Sequence, residues 1–247
     1  MSRSIDLNAD IGEGYDDEAV LPFISSCNIA CGGHIGDEET IATTLQHAVA
    51  AGVAAGAHPS YPDQEYFGRR SLTVDDETLE AALIEQLEMI KRIADEQGVA
   101  LGHVKPHGAL YNDAVGSPAR ARSIVSAMSA VLPDAIIVGA PFGALREEAD
   151  ATGISYRSEG FVDRQYLDDG TLMPRSREGA VIEDEARQLI QAVRLAQGQG
   201  AFGPGGEPVP LTVETLCLHG DTKGAAESAE KIHAALLDHG IAVRAPR

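Results

Sequence analysis

Short apolar runs alternate with helical patterns along the whole chain. The runs fall at 4–10, 24–31, 53–58, 101–106, 135–140, 154–160 and 213–219, and several are nearly continuous in apolar character. Continuous apolarity is how parallel strands buried on both faces read. Between the runs the apolar period becomes helical. Asp37 stands as an N-cap before Ile41, Leu45, Ala48 and Val49, and Gly52 stops that segment. Thr73 with Asp76 resembles a capping box ahead of Leu79, Leu83, Leu87, Ile90 and Ala94, with a stop at Gly98. Ser117-Pro118 opens another helix with proline at its favoured first position. A short helix is expected over 142–151. One over 180–197 carries Ala186, Leu189, Ile190 and Val193 on one face, and a last one over 222–239 closes at Gly240.

Regular strand–helix alternation predicts a parallel sheet covered by helices. An open sheet gathers function at a switch point, whereas in a closed barrel every strand delivers residues to one mouth. Here nearly every strand ends in a polar cluster. The expectation is therefore an α/β fold, an irregular seven-stranded (β/α) barrel, in one domain over 1–247 with no linker.

The polar clusters carry the candidate chemistry. Strand one ends in Asp6, Asn8 and Asp10, which alternation places on one side, followed by Glu13. Strand two leads into Cys31-Gly32-Gly33-His34, and strand three into His58-Pro59 and then Phe67-Gly68-Arg69-Arg70. Strand four ends in Lys105-Pro106-His107-Gly108, strand six runs through Glu159 to Asp163-Arg164, and strand seven ends in His219-Gly220-Asp221. Four of the eight histidines (His34, His58, His107 and His219) follow four different strands. A lone histidine there is more often structural, but four at equivalent strand ends point to one mouth. With Asp10, Glu159 and Asp221 they fit a general acid/base site or a His/carboxylate metal site, and no His-Glu-x-x-His helix singles out the metal. The plainer readings are a hydrogen-bond network at the barrel bottom for Asp10, an outward-snorkelling Lys105, and structural ion pairs for Arg69 and Arg70.

Charge and composition narrow the partners. There are 38 acidic and 19 basic residues, a formal net charge of -19, which repels nucleic acid and anionic membrane surfaces. Lysine occurs only at 91, 105, 223 and 231, so Lys105 at a strand end stands out. The uncharged stretch Thr40–Ser60 is too polar to span a bilayer. Three cysteines without Cys-x-x-Cys, and no visible signal peptide, lead to the expectation of a cytoplasmic protein without disulfides or a zinc knuckle. No P-loop and no Gly-x-Ser-x-Gly elbow occur. Gly198-x-Gly200-x-x-Gly203 follows a helix and runs into Pro204–Pro210, so it reads as a loop and not a dinucleotide site.

Six runs occur in order: Asp-Leu-Asn-Ala-Asp-Ile-Gly-Glu (6–13), Asn-Ile-Ala-Cys-Gly-Gly-His-Ile-Gly-Asp (28–37), Gly-Ala-His-Pro (56–59) with Phe-Gly-Arg-Arg (67–70), Val-Lys-Pro-His-Gly-Ala-Leu-Tyr-Asn (104–112), Glu-Gly-Phe-Val-Asp-Arg-Gln-Tyr (159–166) and Leu-His-Gly-Asp (218–221). Together they closely resemble the LamB/YcsF family over essentially the whole chain. Gly33 stands where that family usually has a bulkier, often aromatic residue, and Ile35 where it usually has alanine. The resemblance implies a barrel related to the glycoside hydrolase/deacetylase group. It also implies ATP-dependent opening of 5-oxo-L-proline to L-glutamate, with partner subunits B and C, ATP with Mg2+ as cofactor and no bound transition metal. That substrate is a lactam bearing a carboxylate. Its opening needs a cation for the carboxylate, a base for water and donors around a phosphorylated amide oxygen. On this reading Asp10, Lys105, His107, Glu159 and Asp221 are the candidate catalytic residues. His34, His58, Arg69, Arg70, Arg164 and His219 are the candidate substrate-binding residues. The alternative is a stand-alone metal-dependent deacetylase or amidohydrolase with Asp10, His34 and His58 as ligands.

Overall fold

The structure is a computed structural model and describes residues 3–218 and 224–245. His219 and Asp221 lie outside the described residues. The strands are β1 (Arg3–Ile11), β2 (Ser26–Ala30), β3 (Ala54–His58), β4 (Leu101–Val104), β5 (Ile136–Gly139), β6 (Tyr156–Phe161), β7 (Ala201–Phe202), β8 (Pro208–Val209), β9 (Thr215–Leu218) and β10 (Ile241–Val243). The helices are α1 (Asp17–Val20), α2 (Glu38–Ala51), α3 (Asp76–Gln97), α4 (Gly108–Gly116), α5 (Pro118–Val131), α6 (Ala144–Thr152), α7 (Glu185–Ala196) and α8 (Ala225–Asp238). Strands β1 to β6 and β9 pair in parallel in that order, and β9 returns to β1 through Asp6↔Thr215 to Ala9↔Leu218. The sheet is therefore a closed seven-stranded barrel, as the alternation of runs predicts. β10 adds in parallel to the start of β1, away from the mouth.

Both faces of these strands are buried, but they differ in kind. Leu7, Ala9, Cys27 and Ile29 pack outward in the apolar core. The inward face is polar and bonds across the barrel. The Asn8 amide on β1 donates to Glu159 on β6 at 3.0 Å, and His103 on β4 donates to Asn28 on β2 at 2.8 Å. At the floor, Asp6 accepts hydrogen bonds from Ser25, Ser26 and the Thr215 hydroxyl. Burial raises the Asp6 carboxyl above its usual range, and these hydroxyls work against that.

The helix signals act as expected, with local corrections. Asp37 caps α2 by accepting from Thr40 N at 2.8 Å, and Ser117 caps α5 ahead of Pro118. Asp75, not Thr73, caps α3 by accepting from Thr78 N. Val49 and Ile190 do not belong to buried faces. They are 55% and 51% exposed, while Thr44 and Gln191 are buried in the same helices. Gln191 is inside because its amide donates to the carbonyls of Phe161, Val162 and Arg164, pinning the chain that leaves β6. Helix α4 starts at Gly108, where the sequence shows only a glycine- and proline-flanked histidine. The Gly198–Gly203 segment, which reads as a loop in the sequence, contains β7 and forms an antiparallel hairpin with β8. No helix among the described residues is long and apolar enough to cross a membrane.

Gly56 on β3 lies between the strands that His103 and Asn28 bridge. A Cβ there would lie well inside contact distance of the His103 ring. Gly56→Ala is expected to lower stability by on the order of 1–3 kcal/mol, since the overpacked ring has no room to move. Urea unfolding measures it, and a midpoint equal to wild type would show that the barrel interior is looser than described.

Candidate active site

The site forms where β1, β3, β4 and β6 end, the end at which parallel (β/α) barrels build their functional groups. Lys105 follows β4 and is 2% exposed. Its ammonium sits 3.0 Å from Asp10 Oδ1 and 2.9 Å from Glu159 Oε1, with Cys217 Sγ at 3.1 Å and Asn8 Oδ1 at 3.3 Å. Burial alone would push its pKa down. Asp10, Cys217 and Glu159 outweigh that and hold it well above the usual lysine value. Asn28 braces the same group, donating to Asp10 Oδ1 and Asn8 Oδ1 at 2.8 Å each. The lysine does not snorkel outward.

Four side chains converge beside this cluster. His58 Nε2 lies 3.3 Å from Asp10 Oδ2, and 3.0 Å from His107 Nδ1. His107 Nδ1 lies 3.4 Å from Glu13 Oε1. Polar atoms of Asp10, Glu13, His58 and His107 all fall within 4.8 Å of one another, the geometry of a cation site. His34 stands behind them. Its ring stacks on His107 with centroids 3.7 Å apart, and its Nε2 contacts Glu13 Oε1 at 3.0 Å. Burial, reinforced by the neighbouring imidazoles, holds His107 well below the ordinary histidine value, and burial lowers His34 as well. Among the described residues, His34 Nδ1 and Glu159 Oε2 are buried side-chain atoms with no hydrogen-bond partner.

A cavity of about 870 Å³ opens over this floor. Asp10, Glu13, His58, Lys105, His107 and Glu159 line its base, Tyr111, Phe161 and Leu172 an apolar wall, and Arg69, Arg164 and Arg175 contribute cations. Arg69 reaches it while lying over the Phe67 ring. Arg70 does not join it. Its guanidinium stacks on exposed Tyr66 with 3.2 Å to the ring centroid. Arg164 is committed to backbone, donating to the Met173 and Ala180 carbonyls, so it holds the loop that roofs the cavity. His34 is not a lining residue and acts through Glu13.

The structure thus brings together Asp10, His58, Lys105, His107 and Glu159 from the sequence candidates, with Arg69 and Arg164 on the walls. Glu13, Asn8, Asn28 and His103 belong to the same network, and the sequence pattern does not single them out as site residues. Alternation along β4 does place His103 beside Lys105 on the inner face. Glu13 lies past the end of β1, where alternation no longer assigns a side. The volume beside Gly33 is filled by Gln86 and Ser60. Gln86 clamps the Ser60 backbone, accepting from its N–H at 2.9 Å and donating to its carbonyl at 3.0 Å.

Fold and site together define a (β/α) barrel with a carboxylate–imidazole–lysine centre at its C-terminal mouth. The chain belongs to the LamB/YcsF family, whose sequence profile matches residues 5–247. It is 41% identical over 251 residues to a protein of Methylococcus capsulatus named as the A subunit of 5-oxoprolinase, covering 99% of this chain and 96% of that one. A protein of the same name from Chloroflexus aggregans is 42% identical over 250 residues, covering 99% of each. The crystal structure of the lactam utilization protein from Thermus thermophilus superposes with a TM-score of 0.92 at 36% identity, over 98% of this chain and 100% of that one.

His103 gives the site a pH signature. Burial, then the charge of Lys105, lowers its pKa from 6.5 to about 4. The unfolded chain takes up this proton near the ordinary value, and the native chain does so only near the lowered one. Stability is therefore lost as pH falls through that window, by roughly 3 kcal/mol in all. His103→Gln keeps a donor for Asn28 but cannot titrate, so its urea stability is expected to fall less steeply over the same range. Equal pH slopes for variant and wild type would contradict the assignment.

Proposed function

We propose that this chain carries out the water-addition chemistry of an ATP-coupled 5-oxoprolinase, opening the lactam of 5-oxo-L-proline to L-glutamate together with subunits B and C. The observation that carries this reading is one buried ammonium held between two carboxylates on the floor of a cavity with cationic walls. Its support from relatives is two proteins named as the A subunit of 5-oxoprolinase that match along the full chain.

The chemistry follows from the substrate. A lactam carbonyl is a poor electrophile, and transferring the terminal phosphoryl group of ATP to its oxygen activates the ring carbon. Water then adds to that carbon, the ring C–N bond breaks and the nitrogen takes up a proton. A second water releases phosphate, so that 5-oxoproline, ATP and two waters become glutamate, ADP and phosphate. Glu159 presents a carboxylate oxygen with no protein partner, suited to take the proton from water. Lys105 fixes Glu159 and Asp10 in position, and its protons are spent on them and on Asn8. Arg69 and Arg175 are the cations for the substrate carboxylate and phosphoryl group. The chain has no P-loop, so in this reading ATP and Mg2+ are held by the partner subunits.

Two outcomes are expected. The homogeneous chain alone forms little glutamate from 5-oxoproline and ATP, and adding subunits B and C restores formation of glutamate and ADP. Robust turnover by the chain alone would overturn the division of labour. In the reconstituted assay, Lys105→Ala is expected to lose roughly a hundredfold or more in rate, on the order of 3 kcal/mol of barrier. Lys91→Ala removes only an exposed helical pair with Asp95 and should match wild type. Full activity in a folded Lys105→Ala chain would sink the mechanism.

A further inference from the structure

The protons of His58 and His107 can be placed from their partners. His58 Nδ1 lies 2.7 Å from the Lys105 carbonyl oxygen, and His107 Nε2 lies 3.0 Å from the Phe67 carbonyl oxygen. A carbonyl oxygen only accepts, so each ring carries its proton on that nitrogen. The other nitrogens, His58 Nε2 and His107 Nδ1, then direct lone pairs at each other across 3.0 Å. Two facing lone pairs repel, and carboxylate oxygens crowd the same point. Asp10 Oδ2 is 3.3 Å from His58 Nε2, and Glu13 Oε1 is 3.4 Å from His107 Nδ1 and 3.9 Å from His58 Nε2. Such a set is stable only around a positive charge.

From this geometry we propose that Asp10, Glu13, His58 and His107 form a binding site for one divalent first-row transition metal. A tetrahedral ion with bonds of about 2.1 Å sets its ligands about 3.4 Å apart, close to the separations seen here. Two imidazoles and two carboxylates without sulfur suit Zn2+, Co2+ or Mn2+. The outer partners are those a metal site needs. Backbone carbonyls fix both ligand imidazoles, Lys105 and Asn28 hold Asp10 through Oδ1 while Oδ2 faces His58, and His34 Nε2 holds Glu13. The set differs from the sequence expectation, which placed His34 in a possible metal set and foresaw no transition metal. When bound, such an ion polarises a water or a carbonyl oxygen at the cavity floor. The proposal does not rest on 5-oxoproline turnover, because metal binding is read on the chain alone.

The test is titration of the untagged, chelator-treated full chain with Co2+, followed by visible absorption and calorimetry. The expected result is one Co2+ per chain with the visible bands of a four- or five-coordinate ion. His107→Ala and Glu13→Gln should each weaken binding by at least roughly a hundredfold, and Lys91→Ala should leave it unchanged. Circular dichroism checks that each variant is folded. Should a variant fail to fold, nitrogen-15 spectra of wild-type histidines with Zn2+ decide instead. His58 Nε2 and His107 Nδ1 should shift, while His58 Nδ1 and His107 Nε2 keep their protons. No Co2+ bound at millimolar concentration would overturn the proposal. So would unchanged binding in both folded ligand variants, or histidine spectra showing only a proton shared between the two rings.

Discussion

An ammonium buried to 2% exposure is the constraint from which this barrel is built. Removing Lys105 from water costs several kcal/mol, and only close carboxylates offset that. Asp10 and Glu159 do so, but they are then charges in a closed interior and need donors of their own. Asn8 and Asn28 meet this need, and His103 in turn satisfies Asn28. The requirement passes from strand to strand, so that β1, β2, β4 and β6 are tied through the barrel as well as around it. Deep in low dielectric such a network is worth having only if nearly every member is satisfied.

The same arrangement gives the mouth its character. Because the Lys105 protons are consumed at the floor, charge available to a ligand comes from elsewhere. Arg69 reaches the cavity over Phe67, and Arg164 and Gln191 hold the chain after β6 in place over it. The stacked pair of His34 and His107 then fixes Glu13 beside Asp10 and His58. One layer of residues holds position and a thinner layer faces the cavity. An acidic chain can thereby present a locally cationic wall over a floor of carboxylates and imidazoles.

Much of this is legible in the sequence, for physical reasons that differ by residue. The strands show because parallel strands buried on both faces read as apolar runs, and their number and closure follow from polar clusters at nearly every strand end. Asp10, Lys105 and Glu159 stand out as charges where the chain is otherwise apolar. His34 looks equivalent to His58 and His107, because position after a strand does not tell a lining residue from the one stacked behind it. Arg69 and Arg70 are adjacent in sequence, yet only backbone direction decides which faces the cavity and which stacks on Tyr66. Glu13 and helix α4 are hidden in turns, where neither alternation nor helical period applies. Thr73 reads as the cap of α3 because two good capping residues lie two apart, and the hydrogen bond from Thr78 decides for Asp75.

The most direct test of this account is a double-mutant cycle on stability between Lys105 and Glu159, using Lys105→Met, Glu159→Gln and the double variant in urea unfolding. If the buried pair organises the barrel, Lys105→Met leaves the Glu159 charge buried without its cation, whereas Glu159→Gln leaves Lys105 with Asp10 alone, and the double variant no longer carries the stranded Glu159 charge. The double variant should then be less destabilised than the sum of the two, with a coupling of about 2 kcal/mol or more. Additive effects, within about 0.5 kcal/mol, would show that the two groups do not depend on each other and would contradict the account.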